Sequence, residues 1–174
     1  MNWVALFSQT GSEIDTLSRN LNQKPDQILT NNKDYDGPLE VTKGTHKELM
    51  DMLEELDPFT LVTLHGYLRI IPERITSHCK RMYNGHPALA NVYPELRGLD
   101  PQKRTWQNIE RYAAVGSIVH HVIPEVDAGD VVAYESIVIP HSDYTEEALY
   151  GDLRTCSIVS WKKFLMEYFN ENRH

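Results

Sequence analysis

Three residue types that acyl-group chemistry needs stand at the ends of two strand-like runs. Asn84 and His86 lie in Tyr83-Asn84-Gly85-His86-Pro87, and Asp127 lies in Glu125-Val126-Asp127-Ala128-Gly129. A side-chain amide can donate to a developing oxyanion, an imidazole can carry a proton, and a carboxylate can orient the ring or hold a water. Taken singly, each has a bland reading. Asn-Gly-His-Pro also describes an ordinary turn, and Asp-Ala-Gly between two β-branched runs is good hairpin sequence. Taken together, they make an enzyme the leading reading.

Other polar residues carry weaker signals. Gly11-Ser12 opens a helix-like segment, with Ser12 as the expected N-cap, and the unpaired amides of such a start can hold an anion. A scaffold role for this loop is equally consistent. His65, His121 and His141 have no spacing that forms a metal site with carboxylates, so surface or packing roles are expected and no metal is needed. Cys79 and Cys156 fall outside any paired-cysteine spacing and read as free thiols. Lys103-Arg104, with Arg97 nearby, is the best local basic cluster, and it is thin. The net charge of -8 disfavours extended contact with DNA or RNA.

The elements that must position these residues follow from hydrophobic pattern. Strands are expected over 2–7, 27–30, 59–64, 80–84, 116–123 and 131–139. Helices are expected over 13–21, 45–56, 72–78, 102–113 and 144–169, the last with a point of interruption at Gly151. Leu49, Met52, Leu53 and Leu56 share one face of the second helix. Residues 88–101 read as a loop. Alternating strands and helices in the first half predict a three-layer α/β fold, with a mostly parallel central sheet flanked by helices and an antiparallel strand pair in the C-terminal half.

At 174 residues, with 41% apolar and 24% charged residues, the chain reads as one domain over 1–174. No run is long enough to span a membrane. The N-terminus reads as a first strand rather than an export signal, which predicts a cytoplasmic protein.

Four segments in the right order are similar to the folate-dependent formyltransferase family. Met1 to Ile14, with Ser8, Gly11 and Ser12, resembles its first strand and phosphate loop. Leu64-His65-Gly66-Tyr67-Leu68-Arg69-Ile70-Ile71 resembles the segment lining its pterin pocket. Asn84, His86 and Pro87 match its catalytic strand end, and His120 with Asp127-Ala128-Gly129 matches the segment bearing its catalytic aspartate.

The resemblance implies a Rossmann-like fold and transfer of a formyl group from 10-formyltetrahydrofolate to a primary amine, without a metal. It implies that Asn84, His86 and Asp127 are catalytic. Leu68, Arg69, Ile70, Ile71, Val126 and Asp127 would hold the folate, and Gly11, Ser12, Glu13 and Arg154 the acceptor. Asn84 and a protonated His86 would stabilise the oxyanion, while Asp127 would orient His86 or hold a proton-shuttling water. Members acting on glycinamide ribonucleotide are nearest, so the implied partners are folate and a small nucleotide-like amine, with the protein a monomer or homodimer.

The chain also departs from the family pattern. Glu13 stands where Asn is usual, so a carboxylate lies near the implied phosphate loop. Ser157 stands where a ribose-binding glutamate is usual, one turn after Arg154. Arg97-Gly98 resembles members acting on tRNA-bound methionine or amino sugars, and the segment between His86 and Asp127 is long, as in short phage-encoded members. Gly85 replaces a bulky residue, which predicts a loosened strand end that admits substrate. A hydrolase on the same scaffold and a non-catalytic folate-binding module are the alternatives.

Overall fold

The computed structural model describes residues 2–140 and 142–172. Met1 of the first matched segment and His141 lie outside them. Among the described residues the sheet order is β3-β2-β1-β4-β5-β6-β7. In chain order these strands are β1 Trp3–Phe7, β2 Gln27–Thr30, β3 Thr42–Lys43, β4 Leu61–Leu64, β5 Arg81–His86, β6 Ala114–His121 and β7 Val131–Val138. The ladders β1–β2, β1–β4, β2–β3 and β4–β5 are parallel, and β6–β7 is antiparallel. The helices are α1 Ser12–Leu21, α2 His46–Glu54, α3 Glu73–His78, α4 Pro101–Gln107 and α5 Glu146–Glu171. This is the expected mostly parallel, helix-flanked α/β class with its antiparallel pair. No helix among the described residues is long and apolar enough to cross a membrane.

The chain falls into two compact units, residues 1–84 with 121–124 and residues 85–120 with 125–174. In the first unit, β1 is buried along its whole length because both faces of a parallel sheet are covered. Val4 and Leu6 join a core with Leu49 and Leu53 of α2 and Ile75 of α3. Ala5 and Phe7, on the opposite face, pack with Ile14 of α1 and with Tyr35. Thr45 and Glu48 form a reciprocal capping box at the start of α2. Ser12 is the first helical residue of α1 rather than its N-cap. Gly11 takes the cap position at φ 64°, and the Thr10 hydroxyl accepts from the Ser12 amide at 3.3 Å. A left-handed cap residue has no side-chain penalty when it is glycine, so the cap fell one residue early.

In the second unit, Val115 of β6 packs with Leu149 and Leu153 of α5. Two buried serines tie these elements. Ser117 Oγ donates to the Leu153 carbonyl at 3.0 Å, and Ser160 Oγ lies 3.2 Å from the Ser117 carbonyl. The helix α5 runs through Gly151 without a break, because a helix this well buried tolerates the modest cost of one interior glycine. The segment expected to be helical over 102–113 is shorter. α4 begins at Pro101, where proline suits the first turn, and gives way at Asn108 to a 3₁₀ turn over Ile109–Arg111.

Gly85 does not loosen its strand. A Cβ there would lie 2.4 Å from Nε1 of Trp161, whose indole is fully buried. The space a side chain would take is filled by an α5 tryptophan rather than left for substrate.

Candidate active site

The strand β5 extends to His86, two residues beyond its expected end, so His86 belongs to the sheet and not to a turn. The residue is only 4% exposed. A buried ring needs partners for both nitrogens. Nε2 lies 2.8 Å from the carbonyl oxygen of Leu96, and Nδ1 lies 3.3 Å from Oδ2 of Asp127. A carbonyl can only accept, so Nε2 carries the proton of this pair.

Asp127 stands in the connection between β6 and β7 with φ 52°, a left-handed conformation that Asp tolerates better than most residues. Three groups hold its carboxylate. The Gly98 amide donates to Oδ2 at 2.9 Å, His86 Nδ1 faces the same oxygen, and His120 Nε2 lies 3.3 Å from Oδ1. Gly98 itself has φ 84°, a conformation that favours glycine. His120, nearly fully buried near the end of β6, is thus a functional candidate that residue patterning alone did not single out. An inward-facing histidine on a β-branched strand reads as core until its partner is known.

Burial pulls His86 below histidine's ordinary 6.5, with the Asp127 carboxylate and the Leu96 carbonyl opposing and the charges of His120 and Arg104 adding to the fall. For Asp127 burial works upward, but the His120 hydrogen bond, the His86 charge and the Gly98 amide outweigh it and hold the carboxyl below its ordinary 3.8. Near neutral pH the pair therefore consists of a neutral Nε2–H imidazole and an ionised carboxylate. Such a pair is of the kind that general acid–base chemistry uses. It does not offer Nε2–H to an oxyanion, because Leu96 occupies it. Both ring nitrogens of His86 thus face protein groups, Nε2 the Leu96 carbonyl and Nδ1 the Asp127 carboxylate.

The loop between β5 and α4 builds this arrangement. Leu96 lies in a 3₁₀ turn over Pro94–Leu96, its side chain buried with Ala88 and Tyr112. Arg97 Nη1 reaches Glu125 at 3.8 Å. Val126, implied as a folate contact, is 44% exposed. Arg154 is an exposed residue of α5, and Ser157 is half-buried.

The remaining candidates lie in the first unit. Asn84 pairs in register with Leu64 of β4. Leu68, Arg69 and Ile70 are exposed, whereas Ile71 is buried in the core with Ile75. The Leu68 amide donates to Ser8 Oγ at 2.9 Å. Glu13 turns its carboxylate to His65, with Oε1 2.7 Å from Nδ1, and His65 Nε2 lies 2.9 Å from Thr63 Oγ1. The indole Nε1 of Trp3 donates to the same Thr63 oxygen at 2.9 Å. His65 is therefore neither a surface residue nor an apolar packing one, but a buried member of a polar chain. The polar residues of this chain are too far apart in sequence for spacing to reveal it.

His121 packs edge-on against Tyr83. Cys79 and Cys156 are buried free thiols, both pushed by burial up to about 11. Among the described residues no cluster of three His, Cys, Asp or Glu side chains could hold a metal ion.

Comparison with known proteins gives this geometry a context. The formyl transferase family matches residues 1–158. The chain is 28% identical over 116 residues to a phosphoribosylglycinamide formyltransferase from Dictyostelium discoideum, a match covering 63% of this chain and 56% of the relative. It is 28% identical over 120 residues to a phosphoribosylglycinamide formyltransferase from Escherichia coli (strain K12), covering 64% and 54%. These matches span about half the length of the curated relatives. The fold is similar to a solved phosphoribosylglycinamide formyltransferase from Campylobacter jejuni subsp. jejuni NCTC 11168, with a TM-score of 0.80, 20% identity and 97% of each chain covered.

Proposed function

Because the chain belongs to the formyl transferase family, we propose that it moves a formyl group from 10-formyltetrahydrofolate to the primary amine of a small, nucleotide-like acceptor such as glycinamide ribonucleotide. The observation that carries this reading is the His86–Asp127 pair, a buried imidazole whose Nδ1 lies 3.3 Å from a carboxylate oxygen. Amine attack on a formyl carbon releases a proton from the nitrogen and requires one at the leaving nitrogen. A group that takes the first and delivers the second serves both halves of the reaction.

Bound 10-formyltetrahydrofolate supplies the formyl carbon. In the proposed sequence the amine nitrogen bonds to that carbon, its proton passes to the His86–Asp127 pair, and the carbon–nitrogen bond to the folate breaks as that proton passes to the folate nitrogen. Asn84 is the proposed donor to the developing negative charge on the formyl oxygen, a role whose loss costs on the order of 100 to 1000-fold in rate. Gly98 and His120 keep the carboxylate ionised and fixed.

Two features support the assigned ligands. Exposed Leu68 and Ile70 flanking Arg69 offer apolar surface and a cation to a flat ring with carboxylates. The Glu13 carboxylate is engaged by His65, which lessens its repulsion of an acceptor phosphate near Gly11 and Ser12. Arg154 and Val126 complete the proposed ligand contacts. The reading carries with it a cytoplasmic monomer or homodimer that uses no metal.

Thermal denaturation with 10-formyltetrahydrofolate, glycinamide ribonucleotide and an amino sugar tests it. A ligand at 100 times its dissociation constant adds about 2.7 kcal/mol to native stability. The proposal expects a rise of several degrees with the folate and a further rise with the nucleotide amine. No rise with any folate would contradict it.

A further inference from the structure

We propose that Arg104 is the positioning residue of this site, fixing which nitrogen of His86 carries its proton by gathering the backbone carbonyls of the loop that bonds both His86 and Asp127. The inference rests on the reading of His86 and Asp127 as the proton-carrying pair. Arg104 projects from α4, and its guanidinium donates to four main-chain oxygens within five consecutive residues. Nε donates to the Leu99 carbonyl at 2.9 Å, and Nη2 to those of Arg97 at 2.7 Å and Leu96 at 3.3 Å, while Nη1 donates to the Glu95 carbonyl.

Carbonyl oxygens of neighbouring peptides repel one another when turned to a common point. A chain segment adopts that arrangement when a cation with several fixed donors stands at the centre. Arginine is the side chain with such a fork, and lysine is not. The apolar packing of the Leu96 side chain fixes where that residue lies, but it leaves the direction of its carbonyl to the backbone torsions.

The Leu96 oxygen shows how the clamp reaches the chemistry. It accepts from Arg104 Nη2 and from His86 Nε2, one for each lone pair. If the carbonyl turned away, His86 would lose the acceptor that keeps its proton on Nε2. The proton would then redistribute to Nδ1, where the Asp127 carboxylate attracts it. Nδ1 would then donate to Asp127 and could no longer accept a proton. Two residues along the same loop, the Gly98 amide bonds Asp127 Oδ2, so one cation sets both members of the pair. The charge of Arg104 acts in the same direction, since it discourages protonation of His86. The Lys103-Arg104 pair, read from sequence only as a thin basic cluster, thus has one member turned inward to the backbone.

The test uses the full chain with ¹⁵N-labelled histidine, the His86 signals assigned through His86→Gln, and long-range ¹H–¹⁵N spectra at pH 7.5. Wild type should show His86 as a single Nε2–H tautomer. Arg104→Gln should show a mixture or the Nδ1–H form, and Arg104→Lys should recover little, because it restores charge without the fork. In steady-state assays kcat should fall about 10 to 100-fold in Arg104→Gln, with KM values within threefold of wild type. Should Arg104→Gln fail to fold, Arg104→Lys carries the same test. An unchanged tautomer in a folded Arg104 variant overturns the inference, as does an unchanged kcat when His86→Gln is inactive. If wild type has no formyl-transfer activity, the proposed function fails, and the tautomer spectra still decide the role of Arg104.

Discussion

The Nε2–H of His86 donates to the carbonyl oxygen of Leu96 across 2.8 Å, which turns the other ring nitrogen toward Asp127. That one bond separates two roles for the histidine. A ring free at Nε2 could donate to a substrate oxygen, whereas a ring tied there has Nδ1 left for the proposed proton transfer. Asp127→Asn tests the assignment, because asparagine keeps the size and can still accept from Gly98 but cannot take part in proton transfer. Amine-dependent release of tetrahydrofolate should fall by a factor of about 10² to 10⁴. The urea midpoint should fall only slightly. Stopped assays of both quantities on one preparation check this.

Acid should weaken the fold through the same pair. An unfolded chain titrates His86 near 6.5, and the folded protein holds it lower, so between those values the unfolded state binds more protons. Stability contributed by the neutral ring is complete above pH 6.5 and is lost as pH falls through the folded value. Asp127 contributes in the same sense in a more acidic window, complete above 3.8 and lost as pH falls through its lowered value. In urea denaturation between pH 5 and 7, His86→Gln should show a flatter dependence of unfolding free energy on pH than wild type.

The contact between Gly85 and Trp161 predicts an overpacking effect. In Gly85→Ala a methyl carbon would meet Nε1 of the buried Trp161 at 2.4 Å, so something must shift to admit it. The expected loss is about 1 to 3 kcal/mol. Trp161→Phe in the same chain removes the offending ring atoms and should recover part of it. Chemical denaturation of the single and double variants measures both effects.

Legibility in the sequence followed the range of the interactions. The β1 and β4 runs were readable because burial on both faces leaves mostly apolar residues, and α2 because Thr45 and Glu48 spell out its cap. The two-residue strand β3 was not, since Thr42 and Lys43 are exposed edge residues with no apolar period. Asn84, His86 and Asp127 could be named as chemistry-bearing types at strand ends. How the His86 ring is held could not, because its Nε2 partner is a backbone carbonyl ten residues away and carbonyls have no sequence signature. Arg104 was hidden for the same reason, as its partners are four peptide oxygens. Gly85 was misread because its neighbour Trp161 lies far along the chain.

The buried polar chain beside α1 gives another prediction. Glu13→Ala removes the 2.7 Å bond to a histidine whose side chain is fully buried, and should cost about 1 to 3 kcal/mol. Glu13→Gln retains an acceptor oxygen at that position and should stay close to wild type. Thermal denaturation at pH 7.5 distinguishes the two, and equal losses would mean that the carboxylate charge, rather than the bond, matters there.

The most direct measurement of the whole account is release of tetrahydrofolate from 10-formyltetrahydrofolate by the wild-type chain, with and without glycinamide ribonucleotide, beside His86→Ala and Asp127→Asn. The account predicts release that depends on the amine, one formylated amine formed per tetrahydrofolate, and near-complete loss in both variants. Formate released equally without an amine, or undiminished turnover in Asp127→Asn, would contradict it.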